Sequence, residues 1–374
     1  MSGNKRARLI PQPHRGVYSN ENAGAQQCNE DVLEGIFSWS ELASAAHVCL
    51  NWLPIARMVL YRIIVFRQPS ASASNLAQTL PTNPNLRNLI RRLTLHYNDP
   101  ETPRSDSILN WLSLIPGRKL RSIIFEGQFL RCTDLDHILT LPAVSTVLCI
   151  IARSPTTPAQ LLALFNMSQL VSLSVMIDGP SAPLSCVTLP NLKRLTLVID
   201  GEFAPIIPSI LNGLSVPLER LDLVLLADLE QDSRTLQDSL SFHAPHLKHF
   251  ALHSSPYYPT LPLADNYIAT FTSLRNFHCE NSSYTPGLIS QLPPTLVCLT
   301  VMAPLTVPFA DKAISEALEK HFHRLTSLRR IRVIWHSWPL LKCPMVAEFC
   351  QSKGIDFAVV NRSDLWHEYS WNTD

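Results

Sequence analysis

The chain has 374 residues, 46 % of them hydrophobic, with 31 Lys and Arg against 30 Asp and Glu. That length and aliphatic content exclude disorder for most of the chain and can fill a sizeable core, while the near-zero net charge gives no global pull toward nucleic acid or a membrane surface. With 11 Gly against 29 Pro, glycine-rich phosphate loops are not expected and stiff, non-helical connections are.

Residues 1–26 are polar, lack apolar rhythm and read as a disordered tail carrying Lys5, Arg6 and Arg8. No apolar core of a secretory signal occurs there, and no run of about 18 apolar residues occurs anywhere, so no membrane partner is expected. The nine cysteines show no Cys-x-x-Cys and are odd in number. That usage suits a reducing compartment, cytoplasmic and/or nuclear.

Residues 27–66 change character and predict three short helices. Val32, Leu33, Ile36 and Phe37 make one apolar face. Ser38 to Glu41 has the spacing of a capping box, in which each side chain satisfies the other's free backbone donor. It opens a second helix with Leu42, Ala45, Ala46, Cys49 and Trp52 on one side. Pro54 suits the first turn of a third, running through Ile55, Met58, Val59 and Tyr61. Residues 67–85, rich in Ser, Ala, Pro and Asn, read as a linker.

From 86 to 360 a repeat governs the sequence: an apolar residue, two variable residues, an apolar residue, one variable residue and an apolar residue. Its first position falls at Ile90, Leu120, Val144, Leu170, Leu192, Leu218, Leu247, Leu274, Leu296 and Leu328, at spacings of 22 to 32 residues. Leu192-Lys-Arg-Leu195-Thr-Leu197 and Leu218-Glu-Arg-Leu221-Asp-Leu223 are clear copies. The alternation gives a short strand with one buried face, and the intervening segments carry apolar pairs such as Ile206 with Ile210. One unit cannot hide its apolar face, but stacked units can. Pattern and period resemble leucine-rich repeats. The expected fold is therefore α/β, a solenoid with a curved parallel sheet of about ten irregular repeats. A closing strand is expected at Ile355 to Val360, and residues 361–374 read as a tail or cap.

The segment Asp31-Val-Leu-Glu-Gly-Ile-Phe37, followed by Leu42, Val48-Cys49, Trp52 and Leu60-Tyr61, resembles an F-box. The family's opening Leu-Pro is replaced by Cys28-Asn29, and Leu50-Asn51 stands where a basic residue usually precedes Trp52. An N-terminal F-box before irregular leucine-rich repeats is an order familiar from fungal F-box proteins. The resemblance implies a substrate-recognition subunit of an SCF-type cullin–RING ubiquitin ligase, docked on a Skp-family adaptor through Val32, Leu33, Ile36, Phe37, Leu42, Val48, Cys49 and Trp52. The alternative is a repeat scaffold that binds a protein partner without ligase docking, with the same helices capping the first repeat.

No nucleophile elbow, phosphate loop or zinc-hydrolase pattern is present, so neither catalysis nor a cofactor is expected. Histidines cluster at His243, His246, His249, His253 and His278. On one strand His249 and His253 would stand about 13 Å apart, too far to share a metal. His249 and His278 could meet, but no third ligand is evident, and no metal site is expected. Asp222 and Glu280 read as lone contact residues on the repeat face.

The two variable residues after each leading position hold Arg91, Arg92, Arg121, Lys193, Arg194, Arg220, Lys248, Arg275, Arg329 and Arg330 against one acid, Glu219. This basic rim would suit an acidic or phosphorylated protein substrate, with Arg92, Arg194, Arg220, His249 and Arg330 as candidate contacts. Long basic side chains also serve a rim by covering apolar neighbours while keeping their charge in water. Without interleaved aromatics to stack bases, nucleic acid is not expected.

Overall fold

The computed structural model describes residues 53–68, 71–97, 111–127, 138–178, 189–200, 206–225, 233–254, 263–280, 283–303, 309–335 and 342–361. The chain divides into two compact units, Met1–Tyr61 and Arg62–Asp374. In the first, the described part belongs to helix α1, Leu53–Arg62, with Pro54 in its first turn as expected. The other two expected helices, with all eight candidate adaptor contacts, lie outside the described residues, as do the N-terminal tail and the stretch after Asn361.

The second unit is built on one sheet of twelve parallel strands, laid down strictly in chain order. They are β1 Ile63–Gln68, β2 Arg92–Tyr97, β3 Ser122–Gly127, β4 Cys149–Thr156, β5 Ser172–Asp178, β6 Arg194–Asp200, β7 Arg220–Leu225, β8 His249–Ser254, β9 Asn276–Cys279, β10 Cys298–Met302, β11 Arg330–Trp335 and β12 Asp356–Asn361. Such an order is the mark of a solenoid, in which each repeat adds one strand beside the last.

Register explains why the sequence repeats. Leu93, Ile123, Ile150, Leu173, Leu195, Leu221, Phe250, Phe277, Leu299 and Ile331 pair side by side. They form one buried column, the second apolar position of each copy. The third apolar position forms the next, running through Leu95, Phe125, Val175, Leu197, Leu223, Leu252, Cys279, Val301 and Val333. Residues between these columns point to the opposite, open face. The leading apolar residues, Leu120, Leu170, Leu192, Leu218, Leu247, Leu274, Leu296 and Leu328, are buried at the turn that enters each strand. There the backbone repeats itself too: one carbonyl accepts from two successive amides of the next copy. Arg91 O receives Arg121 N and Ser122 N, Lys193 O receives Glu219 N and Arg220 N, and Val297 O receives Arg329 N and Arg330 N. The turn's backbone groups are thus satisfied by stacking alone.

Helices lie between strands and supply the other side of the core. They are α2 Ala71–Thr82, α3 Pro84–Arg87, α4 Pro158–Phe165, α5 Ile206–Gly213, α6 Ser233–Ser241, α7 Leu263–Tyr267, α8 Asp311–His321 and α9 Pro344–Lys353. Ile206, Ile210 and Leu211 of α5 are buried, as the apolar spacing predicts. Helix α4 starts in a full capping box, Thr157 with Gln160. No helix among the described residues is long and apolar enough to cross a membrane.

Two expectations need correction. Residues 67–85 do not run as a plain linker: β1 pairs with β2 along its whole length, and α2 and α3 fill most of the remainder. The sheet therefore starts one strand before the first recognised copy, and helical structure gives way to strand at Ile63 rather than after Phe66. The third copy leads with Val147, not Val144. Leu148 N and Cys149 N make the paired bonds to Arg121 O, and Cys149 stands opposite Ser122. Both valines are fully buried, so apolarity alone cannot choose between them.

Candidate functional site

The open face carries two columns of side chains near the start of the strands. The outer one runs Arg92, Ser122, Cys149, Ser172, Arg194, Arg220, His249, Asn276, Cys298, Arg330 and Asp356. The inner one is mostly small or polar, with Thr94, Ser174, Thr196, Asp222, Ala251, His278, Thr300 and Arg332. Over β5 to β11 these columns enclose a shallow depression of about 540 Å³, lined by Arg194, Arg220, His249, His278, Arg329, Arg330 and Arg332 among others.

Its charges are partly held in place. Arg220 donates through both Nε and Nη2 to Asp222 Oδ2, each at 2.9 Å, and the Thr196 hydroxyl donates to the same oxygen at 3.2 Å. Asp222 is thus a buried anchor that aims Arg220, not the lone carboxylate expected on the repeat face. Arg330 donates to Asp356 at 2.8 Å, an exposed pair that contributes little. His249 accepts from the Asn276 amide at its Nδ1, 2.9 Å away. Burial, then the Arg220 charge, push its imidazole below the ordinary range. A neutral ring with Nδ1 so engaged carries its proton on Nε2. Arg194 is exposed and has no carboxylate partner among the described residues.

Along the rim itself, Glu219 is bracketed by Lys193 at 3.1 Å and Lys248 at 2.9 Å. The bonds from Lys248 and Lys193 hold its carboxyl below the ordinary range. The one acid in the rim therefore neutralises much of two of its bases. Arg91 and Arg329 turn back to donate to carbonyls of their own turns, Arg91 to Asn88 and Ile90, and Arg329 to Thr326 and Leu328. Of the five candidate substrate contacts, Arg194, Arg220, His249 and Arg330 line one depression, and Arg92, four strands from Arg194, does not. Arg332 was missed because it stands in the inner column, beyond the two positions from which the rim was read.

A second constellation lies at the far end of β8 and β9. Glu280, whose amide still bonds to Leu252 O, stands beside His253. His253 Nδ1 is 2.8 Å and His278 Nε2 is 3.3 Å from Glu280 Oε1, and the two rings are 4.5 Å apart between centroids. Glu280 and His278 are buried and His253 partly so. Burial alone would raise the Glu280 carboxyl; the two imidazoles outweigh it and hold it well below the ordinary range. Burial, then the neighbouring His253, push His278 down. Glu280 is thus no lone contact residue, and the histidines that meet are His253 and His278, not His249 and His278. The signal was present: His253 and Glu280 each stand six residues after their leading leucine, Leu247 and Leu274.

The sequence matches no protein-family model and no curated protein. Among solved structures, the chain is similar to the leucine-rich repeat-containing protein LegL7 of Legionella pneumophila, with a TM-score of 0.46 and 13 % identity over 73 % of this chain and 90 % of that one. It is also similar to a protein of Bacteroides fragilis, with a TM-score of 0.40 and 12 % identity over 80 % of this chain and 73 % of that one.

Proposed function

We propose that this protein is the substrate-recognition subunit of an SCF-type cullin–RING ubiquitin ligase. Its N-terminal helices dock on a Skp-family adaptor, and its open repeat face captures an acidic or phosphorylated protein. The observation that carries the capture half is the gathering of Arg194, Arg220, Arg329, Arg330 and Arg332 around one depression. Guanidinium forks suit carboxylate and phosphate groups. The shape is shallow and open, as a peptide-binding surface needs. The docking half is supported by the F-box resemblance, whose third helix falls where α1 lies. The departures at Cys28-Asn29 and Leu50-Asn51 favour a second reading, a partner-binding scaffold without ligase docking.

Two measurements separate these readings. Co-expression with a Skp-family adaptor should give a complex that Leu33→Asp with Ile36→Asp abolishes while the circular dichroism of the repeats is unchanged. If the wild-type chain never co-purifies with the adaptor, the ligase half fails and the scaffold remains. For capture, acidic and phosphorylated peptides should bind with an affinity that falls as salt rises. Replacing Arg194, Arg330 and Arg332 by Gln should weaken binding by about tenfold or more, since hydrogen bonds to charged groups contribute roughly 1.5–3 kcal/mol each, and should flatten the salt response. Unchanged affinity and salt response would remove this face from the capture mechanism.

A further inference from the structure

We infer that His253, His278 and Glu280 form a binding site for a divalent transition-metal ion of the zinc class. The three side chains each offer one ligand atom, and these atoms all lie within 4.8 Å of one another. Tetrahedral zinc with ligand bonds of about 2.0–2.2 Å places its donors roughly 3.4 Å apart. The two distances to Glu280 Oε1, 2.8 and 3.3 Å, fall just short of that spacing. The ligand atoms of His253 and His278 lie within 4.8 Å of each other, so seating an ion asks the two rings to close by no more than about 1.4 Å. Two imidazoles and one carboxylate are a three-ligand zinc set that leaves a fourth position open.

The electrostatics point the same way. Glu280 is buried, only 2 % exposed. A buried carboxylate needs a cation or a full set of donors. Access exists as well, because His278 also lines the open-face depression. The fold offers its own contrast at the same column six strands away. His96 and Glu126 face each other at 3.1 Å on β2 and β3, a histidine–carboxylate pair with no third ligand among the described residues. The third ligand is what sets β8–β9 apart from that bare cross-strand pair.

The test uses the full chain, freed of metal by a chelator and titrated with Co²⁺, then with Zn²⁺ as competitor. The expected result is one ion bound with the visible bands of low-symmetry, four- or five-coordinate Co²⁺, displaced by Zn²⁺. Glu280→Gln and His278→Ala should each weaken uptake by tenfold or more, and His249→Ala, on the neighbouring column, should leave it unchanged. Because the first two positions are buried, the partly exposed His253→Gln serves as the variant that keeps its fold, and it should lose affinity to the same degree. Zn²⁺ should also raise the melting temperature of the wild type and not that of His253→Gln. Absence of Co²⁺ uptake by the wild type, or uptake that His253→Gln leaves unchanged, overturns the assignment.

Discussion

His243 is a buried imidazole used as a staple between turns. Its Nδ1 accepts from Leu218 N at 3.2 Å, and its Nε2–H donates to Leu211 O at 3.0 Å. Both bonds need the neutral ring with its proton on Nε2. Burial pushes the group below its ordinary 6.5. The unfolded chain therefore binds more protons here than the folded one at mildly acid pH, so the stabilisation is complete above about 6.5 and is lost as pH falls from there toward the folded value. Melting temperature should drop between pH 7.5 and pH 5. His243→Gln should melt lower at pH 7.5, by an amount equivalent to about 1–3 kcal/mol for the disrupted buried bonds. It should also show a smaller acid drop, what remains arising from groups shifted the same way, His249 and His278 among them. A variant that keeps the full difference between the two pH values would show that His243 is not a sensor. The cysteines make a second residue-scale test. Burial pushes Cys343 up to about 12 and Cys350 up to about 11, and Cys279 is raised well above 9.0. Only thiolates alkylate readily. Native-state alkylation followed by peptide mapping should label half-exposed Cys298 before any of these three. Labelling of Cys279 at an equal rate would contradict the packing described for β9.

At the scale of elements, helices here are capped by neighbours as well as by themselves. Helix α9 begins with Pro344 after Cys343, which supplies no side-chain cap. Asp311, in the first turn of α8, accepts instead from Met345 N and Val346 N, both at 3.0 Å. One carboxylate thus meets two free amides at the positive end of the next helix. Asp311→Ala should cost about 1–2 kcal/mol, the usual worth of a lost cap, and urea unfolding should show a lower midpoint with unchanged slope. Asp311→Asn should recover part of that loss, and equal midpoints for Ala and the wild type would sink the idea. This cap was not legible in the sequence, because it joins residues more than thirty apart whose meeting depends on the stacking of two repeats. The same reason hid β1. Its residues Ile63-Ile-Val-Phe66 follow directly on a helical pattern, and what makes them a strand is the edge that β2 presents. By contrast, the columns from β5 to β8 could be read almost residue by residue, since Leu170, Leu192, Leu218 and Leu247 each lead a copy whose alternation admits one register. The depression was legible to the same extent: Arg194, Arg220, His249 and Arg330 follow from register, whereas the Asp222 anchor and the Glu280 cluster require knowing which side chains adjacent strands bring together.

For the array as a whole, stability should be distributed by nearest neighbours. Each repeat touches mainly the copies before and after it, so the free energy is close to a sum of repeat and interface contributions. Leu195 and Leu197 of β6 and Leu221 and Leu223 of β7 are fully buried between neighbours on both sides. In β12, Phe357 to Val360 are only half-buried, and Asp356 is exposed. Amide hydrogen exchange on the full chain should therefore be slowest in β6 and β7 and markedly faster in β12, because local opening frees less buried surface there. Leu221→Ala removes a side chain from the middle of the buried column, a change that costs about 2–5 kcal/mol in comparable cores. In a nearest-neighbour array that loss should speed exchange most in β6, β7 and β8 and little in β2 or β11. A fully cooperative domain would instead lower protection by the same amount everywhere. Equal acceleration in β2 and β7 would show that the twelve strands open as one body.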